Sequence, residues 1–390
     1  MRPHRHLLRA FAAVALALLA HATVAGMPAH AQSWTVHPFV DGPGNQMQPV
    51  WSPDGRQLAY ISDETGTPQP YIINADGTGK WQVTNEPDGV SGAVWSYDSQ
   101  YLLYNEYTAQ PRDLIKVRLS PERNSVAGQW NLTNAPTTTL TLGWGPVQYS
   151  PDGSTIIASR AYNGWPRMRV IEDRDEDTTE GEWTPIGRDY GMSVGATSRP
   201  QAEQDLIAYA YHSNYYPSIP SELRTIQPGG QGDTLLLSSS QTNQHINRVA
   251  WSPQGDAVAF SYSYVTDAGI GVVNADGTGL IWLDQNAGFP EQLYSALPDI
   301  WSSDGESLVY SAYEDGCWNV YLIDRDGTDK RLVSSSDGDD QYARFQDDST
   351  VYFQTNRSGD WDIYVAVPEP ATLALLALGG LGVLMKRRRA

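Results

Sequence analysis

The sequence predicts an all-β fold, and three observations support this prediction. The composition includes 13 Trp, 22 Tyr, 35 Gly and 25 Pro among 390 residues, which suits many short strands joined by tight turns. One phrase recurs along the chain, as WSPDG at 51–55, WSYDS at 95–99, YSPDG at 149–153, WSPQG at 251–255 and WSSDG at 301–305. A second phrase, NADGTG, occurs at 74–79 and again, letter for letter, at 274–279.

The first copy of the repeat, residues 50–85, predicts four antiparallel strands. Pro53 fixes its own φ, Asp54 can bond its own backbone and Gly55 accepts positive φ, so the phrase forms a turn. The first predicted strand ends at Trp51, and the second begins at Gln57 and includes Leu58–Ile61, which is apolar on both faces. The third and fourth strands are Tyr71–Ile73 and Trp81–Val83, joined by a tight turn at Asp76–Gly77. Four antiparallel strands in about 45 residues correspond to one blade of a β-propeller.

The spacing of the repeats indicates how many blades there are. Successive copies are separated by 44, 54 and 50 residues, but Tyr149 and Trp251 lie 102 residues apart. That gap predicts a degenerate copy, which residues 196–211 supply, with Leu206–Tyr209 aligned on Leu58–Ile61. The count is then seven blades, and six is the alternative if this copy is only an insertion.

The two ends of the repeat array complement each other. The last copy, residues 343–366, has three strands, while WTVHPFVDGPG at 34–44 parallels the fourth-strand phrase WQVTNEPDG at 81–89. We therefore predict that the N-terminal strand completes the last blade, closing a seven-bladed propeller of four-stranded antiparallel blades with no open sheet edge. An open β-solenoid is the simpler alternative. It is disfavoured because a solenoid does not need a strand borrowed from the opposite end of the chain.

The N-terminal segment predicts export. Three arginines precede an apolar run at 11–20, and Ala29-His30-Ala31 follows. This pattern is typical of a signal peptide over residues 1–31, cleaved before Gln32, with Thr23–Ala25 as a second candidate cleavage site. The exported domain then spans residues 32–366.

The charge of the exported domain excludes one class of partner. Of the 26 basic and 45 acidic residues, seven basic and one acidic lie in the two end segments, so the remainder carries a net charge of −25. Such a surface repels phosphate backbones, so nucleic-acid binding is not expected. The single cysteine, Cys317, excludes an internal disulfide.

The C-terminal segment, residues 367–390, combines three features. Pro368, Glu369 and Pro370 precede an apolar stretch at 371–385, and a basic cluster follows at 386–389. The apolar stretch predicts a membrane-spanning helix, short for a full span, whose basic end stays in the cytoplasm.

Two resemblances follow from these residues. WSPDG with LAY, DETGTPQPYIINADGTG and WQVTN resemble the TolB-type, WD40-like β-propeller repeat over residues 34–366. That resemblance implies the fold but not a function, because such propellers occur in the Tol-Pal protein, in peptidases and in sugar-acting lyases. The tail resembles a PEP-CTERM sorting signal, which implies recognition by an exosortase at the inner membrane, processing near Pro-Glu-Pro, and delivery to the surface or extracellular matrix of a Gram-negative bacterium.

Catalytic patterns are few. Gly191–Gly195 fits G-x-S-x-G but lies in a blade connection without a following helix. The exported domain keeps only His37, His212 and His245, at unmatched repeat positions. The acidic stretches 172–177 and 337–340 lack EF-hand spacing, so calcium is the one cofactor left open. We therefore expect no enzyme activity and no cofactor.

The preferred interpretation is a surface-sorted binding or scaffold module whose ligand is an extracellular polysaccharide or a protein. The periodic Trp residues are assigned to packing between blades, and the less periodic aromatics, which are candidates for an open face, are Trp144, Trp165, Tyr215, Tyr216 and Trp318. The polar candidates for lining the central channel are Gln48, Arg248, Asp299 and Arg344. Two alternatives remain: a metal-dependent lyase acting on an acidic polysaccharide, in which His212 and His245 converge, and a periplasmic Tol-Pal-like component.

Overall fold

A computed structural model describes most of the chain between residues 33 and 369. The described ranges are 33–106, 113–132, 147–150, 153–162, 165–172, 184–185, 192–198, 206–212, 220–239, 245–264, 267–284 and 300–369. Residues 36–366 form one compact unit, and the two ends of the chain, 1–35 and 367–390, form a second. Within the described ranges, no helix has the length and apolar character needed to cross a membrane.

The described residues form 27 strands in seven antiparallel sheets, which confirms the all-β prediction. Sheet 1 contains β2 (Gln46–Trp51), β3 (Gln57–Ser62), β4 (Gln69–Asn74) and β5 (Trp81–Gln82). Sheet 2 contains β6 (Val90–Trp95), β7 (Tyr101–Glu106), β8 (Leu114–Leu119) and β9 (Val126–Asn131). Sheet 3 contains β10 (Gln148–Tyr149), β11 (Thr155–Tyr162), β12 (Trp165–Glu172) and β13 (Thr184–Pro185).

The remaining sheets follow the same strand order. Sheet 4 contains β14 (Met192–Ser198), β15 (Ile207–His212), β16 (Glu222–Ile226) and β17 (Thr234–Ser238). Sheet 5 contains β18 (His245–Trp251), β19 (Ala257–Tyr264), β20 (Asp267–Asn274) and β21 (Ile281–Asp284). Sheet 6 contains β22 (Ser307–Glu314), β23 (Cys317–Asp324) and β24 (Arg331–Ser334), with an isolated bridge from Trp301 to Leu308. Sheet 7 contains β25 (Asp340–Asp347), β26 (Thr350–Thr355), β27 (Asp362–Pro368) and β1 (Trp34–Val40).

The recurrent five-residue phrase forms the turn between the first two strands of a sheet, as predicted. In the first copy the Ser52 hydroxyl donates to Asp54 at 2.7 Å and accepts from the Gln57 amide at 3.0 Å. Ser96 and Asp98 repeat this arrangement in sheet 2, as do Ser302 and Asp304 in sheet 6. A short side chain that bonds its own backbone in this way favours a turn over continued pairing.

The NADGTG phrase forms the hairpin between the last two strands. The Asp76 carboxylate accepts from the Thr78 amide at 2.9 Å and from the Thr78 hydroxyl at 2.6 Å, and Gly77 has a φ of 79°. These hydrogen bonds lower the pKa of Asp76. The same pair of bonds is present at Asp276–Thr278 and at Asp326–Thr328, so one local structure builds three hairpins.

Neighbouring sheets share their hydrophobic cores. Every residue of β3 is buried, because both faces of this strand are covered. One cluster joins sheets 1 and 2 through Ala59, Ile72, Trp95 and Leu102, and a comparable cluster joins sheets 5 and 6. The Trp95 indole donates to the Val50 carbonyl at 3.1 Å. The Trp301 indole bonds the Ala250 carbonyl in the same way, at 3.2 Å, which confirms that the periodic Trp residues pack between sheets.

Sheet 4 accounts for the degenerate copy. Ser198 pairs with Ile207, as Trp51 pairs with Leu58 in sheet 1. Ser198 therefore occupies the position of the periodic Trp, which explains why the phrase is unrecognisable there. The sequence alignment of this copy was wrong by one residue, because Ile207 and not Leu206 matches Leu58.

The N-terminal strand pairs with the last strand of the chain, since β1 lies beside β27 in sheet 7. Sheet 7 also packs on sheet 1. The Tyr352 ring lies 4.8 Å from the Trp51 ring and 5.0 Å from the Phe39 ring. The Gln354 side chain accepts from the Gln48 amide at 2.9 Å. The segment at 34–40 thus adds its strand to the sheet that the sequence indicated.

We predict that Trp95→Phe lowers the free energy of unfolding by about 1–3 kcal/mol. The substitution leaves the Val50 carbonyl without its indole donor and opens space beside a buried ring. Urea unfolding of both proteins measures the change. Trp282→Phe is the matched control, because Trp282 is 38% exposed and should stay within about 0.5 kcal/mol of the original protein. Equal losses in the two variants would contradict the role given to the Trp95 indole.

Candidate functional site

Gln48, Arg248 and Arg344, three of the four predicted channel residues, lie on the first strands of their sheets. In five of these strands the pairing register shifts, between Met47 and Val50 in β2 and at similar places in β6, β14, β18 and β25. Such bulges redirect side chains out of the regular alternation. Gln48 lies in the first bulge with a φ of 55°, in the left-handed region that favours glycine.

The structure describes three of the four polar residues that were predicted to line the channel. The Gln48 side chain accepts from the Gly92 amide at 3.1 Å, so Gln48 links sheets 7, 1 and 2. Arg248 is half-buried in the β18 bulge, and its amide donates to the Ser261 hydroxyl at 2.9 Å. Arg344 is only 3% exposed and pairs with Tyr352. Asp299 lies outside the described residues, and the convergence of these four side chains stays a prediction.

The residues of the sequence-predicted catalytic patterns lie on three different sheets. Ser193 lies inside β14, opposite Tyr211, and not on a strand-to-helix turn. His37 is exposed on β1, and His245 is exposed at the start of β18. His212 ends β15, but its side chain lies outside the described structure, so its convergence with His245 stays a prediction.

The acidic stretches differ in what the structure describes. Asp340 is fully buried, and the Arg357 guanidinium donates to it at 2.8 Å. The Asp339 carboxylate accepts from the Trp318 amide at 3.1 Å. Residues 173–177 lie outside the described ranges. Within those ranges, no group of three or more His, Cys, Asp or Glu side chains has the geometry of a metal site, and calcium binding stays a prediction.

Two carboxyl groups meet where sheet 1 joins sheet 2. The Glu86 carboxylate accepts from the Tyr104 hydroxyl at 2.8 Å. Burial raises the pKa of Glu106 to about 7, and the charge of Glu86 adds to this rise. Asp113 and Asp88 contribute further negative charge. The Glu86 side chain thus favours the protonated form of Glu106.

The Glu86–Glu106 pair is chemically distinct from a structural ion pair. A carboxyl group that titrates near neutral pH can both donate and accept a proton at that pH, as general acid–base catalysis requires. No sequence pattern reveals it, because the shift in pKa arises from burial and from Glu86 and Asp88 in the connection before β6. Only the acidic character of the NEPDG phrase, at 85–89, hinted at it.

A small apolar pocket of about 180 Å³ lies between β17 of sheet 4 and sheet 5. Its lining residues are Leu237, Ser238, Ser239, Ile246, Tyr262, Leu280 and Trp282. The Trp282 ring stands edge-on to the Tyr262 ring, with centroids 4.8 Å apart, and is 38% exposed. The described lining carries no charged side chain, although the chain is strongly acidic.

Trp282 was not among the aromatic residues that the sequence singled out. Of those, Trp144, Tyr215 and Tyr216 lie outside the described residues, as does the side chain of Trp165. Trp318 is half-buried against Tyr313, at 5.5 Å between ring centroids. The useful signal was the copy IWLD at 281–284, where an aromatic ring replaces the Gln82 of the first repeat.

Solved structures with a similar fold define the class of this protein. An oligogalacturonate lyase in complex with manganese superposes with a TM-score of 0.66 and 14% identity, over 87% of this chain and 95% of that one. The Myceliophteria thermophila Cps50 (Swd1) β-propeller domain gives 0.54 and 12%, over 85% and 99%. A puromycin-hydrolyzing peptidase of Mycobacterium tuberculosis gives 0.57 and 14%, over 83% and 52%. At such identities the likeness shows the fold alone, which is that of the β-propellers.

The tail distinguishes this chain within that class. Residues 366–389 match the PEP-CTERM protein-sorting motif, which confirms the resemblance stated from Pro368, Glu369 and Pro370. The motif implies recognition by an exosortase, export, and sorting to the cell surface in Gram-negative bacteria. Pro368 ends β27, whereas Pro370 and the predicted helix at 371–385 lie outside the described residues.

Curated relatives match short parts of the chain. The Tol-Pal system protein TolB of Alcanivorax borkumensis is 45% identical over 58 residues, 14% of this chain and 13% of TolB. The uncharacterized peptidase YuxL of Bacillus subtilis is 42% identical over 67 residues, 17% of this chain and 10% of the peptidase. The first match confirms the TolB-type resemblance of the repeat. The matched segments of this chain span about a tenth of the length of each relative.

These comparisons correct one prediction. The expectation that the chain is not an enzyme was wrong, because the similar propellers include a lyase and a peptidase, and a sequence relative is named as a peptidase. That expectation rested on the absence of a linear catalytic motif. Side chains that meet at a connection between two repeats, such as Glu86 and Glu106, leave no such linear motif.

We predict that the Glu106→Gln variant is more stable than the original protein by a margin that grows as the pH rises. The pKa of Glu106 is raised from 4.5 to about 7 in the folded state, so its contribution to stability is complete below pH 4.5 and is lost as the pH rises through 7. The variant should equal the original protein at pH 4 and exceed it by about 1–2 kcal/mol at pH 8, after allowance for partial solvent exposure.

Urea unfolding at pH 4, 6 and 8 measures this difference. Glu122→Gln is the matched control, because Glu122 is exposed in the turn after β8, and it should change stability equally little at each pH. A constant gap between Glu106→Gln and the original protein across the three pH values would argue against the raised pKa of Glu106.

Proposed function

We propose that this protein is an exported, surface-sorted β-propeller that binds extracellular polysaccharide. In this proposal residues 1–31 direct export, residues 32–366 form the propeller, and residues 367–390 form the sorting signal, whose helix at 371–385 anchors the chain in the inner membrane until an exosortase acts. The match of residues 366–389 to the PEP-CTERM motif is the observation that carries the proposal. The processed propeller then reaches the cell surface or the extracellular matrix.

We propose seven blades arranged as a closed ring. The described residues form seven sheets, and strand contacts or shared hydrophobic clusters link each sheet to the next and sheet 7 to sheet 1. A ring of four-stranded blades leaves only short sheet edges. In this arrangement Gln48, Arg248, Asp299 and Arg344 face the central channel.

The pocket at Trp282 is the proposed polysaccharide site. An exposed indole beside the Ser238 and Ser239 hydroxyls offers an apolar face for a sugar ring and polar partners for its hydroxyls. The uncharged lining and the net charge of −25 of the exported domain favour a neutral glycan over a polyanion. A protein partner is the other ligand class compatible with an apolar pocket.

An oligosaccharide-cleaving enzyme is the second candidate. The pKa of Glu106, raised to about 7 by burial, favours it, since proton abstraction needs such a group. The lyase of similar fold contains manganese, but the described residues here include no metal-binding group, and we assign no step to a metal. Turnover of uronate polymers that Glu106→Gln abolishes would favour this candidate.

The first prediction concerns processing of the tail. In cells of the source bacterium, mass spectrometry should find the mature protein beginning near Gln32 and ending near the Pro-Glu-Pro motif. Glu369→Ala should retain the tail, because it removes the charged side chain of the motif. If the original protein keeps residues 371–390 at the cell envelope, the proposal of surface sorting is refuted. If it is instead a soluble periplasmic protein associated with Tol-Pal proteins, the Tol-Pal-like alternative takes the place of the proposal.

The second prediction concerns the ligand. On a glycan array, the purified exported domain should bind neutral glycans, and Trp282→Ala should weaken binding tenfold or more, about 1.4 kcal/mol. Tyr313→Ala is the control, because Tyr313 is a 52% exposed aromatic residue outside the pocket. Binding restricted to uronate polymers, or equal binding by both variants, would count against this site.

A further inference from the structure

The sorting motif follows the propeller without a linker. Strand β27 ends at Pro368, and Glu369 is the next residue. In sheet 7, β27 is hydrogen-bonded to β26 on one side and to β1 on the other. The first two residues of the motif are therefore continuous with a strand that is held on both sides.

Ser33 contacts Glu369 twice. The Glu369 amide donates to the Ser33 carbonyl at 2.8 Å. The Ser33 hydroxyl donates to the Glu369 carboxylate at 2.7 Å. Both the backbone donor and the acidic side chain of the motif are thus bound by a residue at the opposite end of the exported chain.

A processing enzyme must compete with these bonds. Recognition of an extended segment uses its backbone hydrogen-bonding groups and its side chains. At Glu369 the amide and one carboxylate oxygen are already occupied. Recognition then requires that the segment around Ser33 separates from Glu369 first. A hydrogen bond to a charged group contributes more than a neutral one, so the Ser33 hydroxyl has a measurable effect.

We infer that Ser33 restrains the sorting motif in the folded protein and thereby slows its processing. This inference rests on the proposed surface sorting. It assigns Ser33 an autoinhibitory role: the motif becomes available when the start of the first strand opens. The N-terminal and C-terminal ends of the exported chain are thereby coupled.

The test compares Ser33→Ala with two matched variants in cells. Ser33→Ala should be processed about fivefold faster in a pulse–chase immunoblot with antibodies against the propeller, which corresponds to about 1 kcal/mol. Ser33→Thr keeps the hydroxyl and should be processed at the original rate. Thr35→Ala alters an exposed residue of β1, two positions after Ser33, and should also leave the rate unchanged. Equal rates for Ser33→Ala and the original protein would overturn the inference.

A second measurement separates this inference from the sorting proposal. Amide hydrogen exchange on the purified full-length protein should show that the Glu369 amide is protected, and that Ser33→Ala reduces this protection. Protection unaffected by Ser33→Ala overturns the Ser33–Glu369 restraint even if processing occurs. Reduced protection with no processing in any variant overturns both the sorting proposal and the role of Ser33 in it.

Discussion

The structure depends on burial between neighbouring sheets. A four-stranded sheet cannot cover its own two faces, yet the central strands are buried on both faces. In sheet 1, Leu58 of β3 and Ile72 of β4 each have zero exposure. A sheet whose central strands are buried on both faces needs a neighbour against each face. The periodic Trp residues serve this need, because Trp95 fills the space between two sheets while its indole bonds the Val50 carbonyl of the preceding one. Pairing of β1 with β27 gives sheet 7 its fourth strand.

The repeated scaffold leaves chemistry to the positions that do not repeat. Turn residues such as Ser52 and Asp76 are committed to local hydrogen bonds that recur from sheet to sheet. Where copies differ, as at Glu106 and Trp282, an ionisable pair or an exposed ring takes the place of packing. Function in such a fold is set by strand ends and connections on a rigid frame. A common fold can thus accompany lyases, peptidases and binding proteins.

Much of the fold could be predicted from the sequence, because it depends on local rules. The turn at Asp54, the hairpin at Asp76 and the double burial of Leu58 each follow from short patterns. The fourth copy was located by spacing but aligned one residue off, since Ser198 replaces the Trp that marks the others. The site was largely missed. The pKa of Glu106 depends on burial and on Glu86, which lies in the connection between β5 and β6, and the partner of Glu369 is Ser33, 336 residues away. No short pattern records such contacts.

The position of β27 has a mechanical consequence. Tension on the C-terminal segment passes directly into this strand, which is bonded to β26 and to β1. Antiparallel ladder bonds lie across the strand axis, so a pull along that axis loads many of them in shear at once. Peeling would instead break them one after another. A force applied at the C-terminal end of β27 must therefore break many hydrogen bonds together before the strand leaves its sheet.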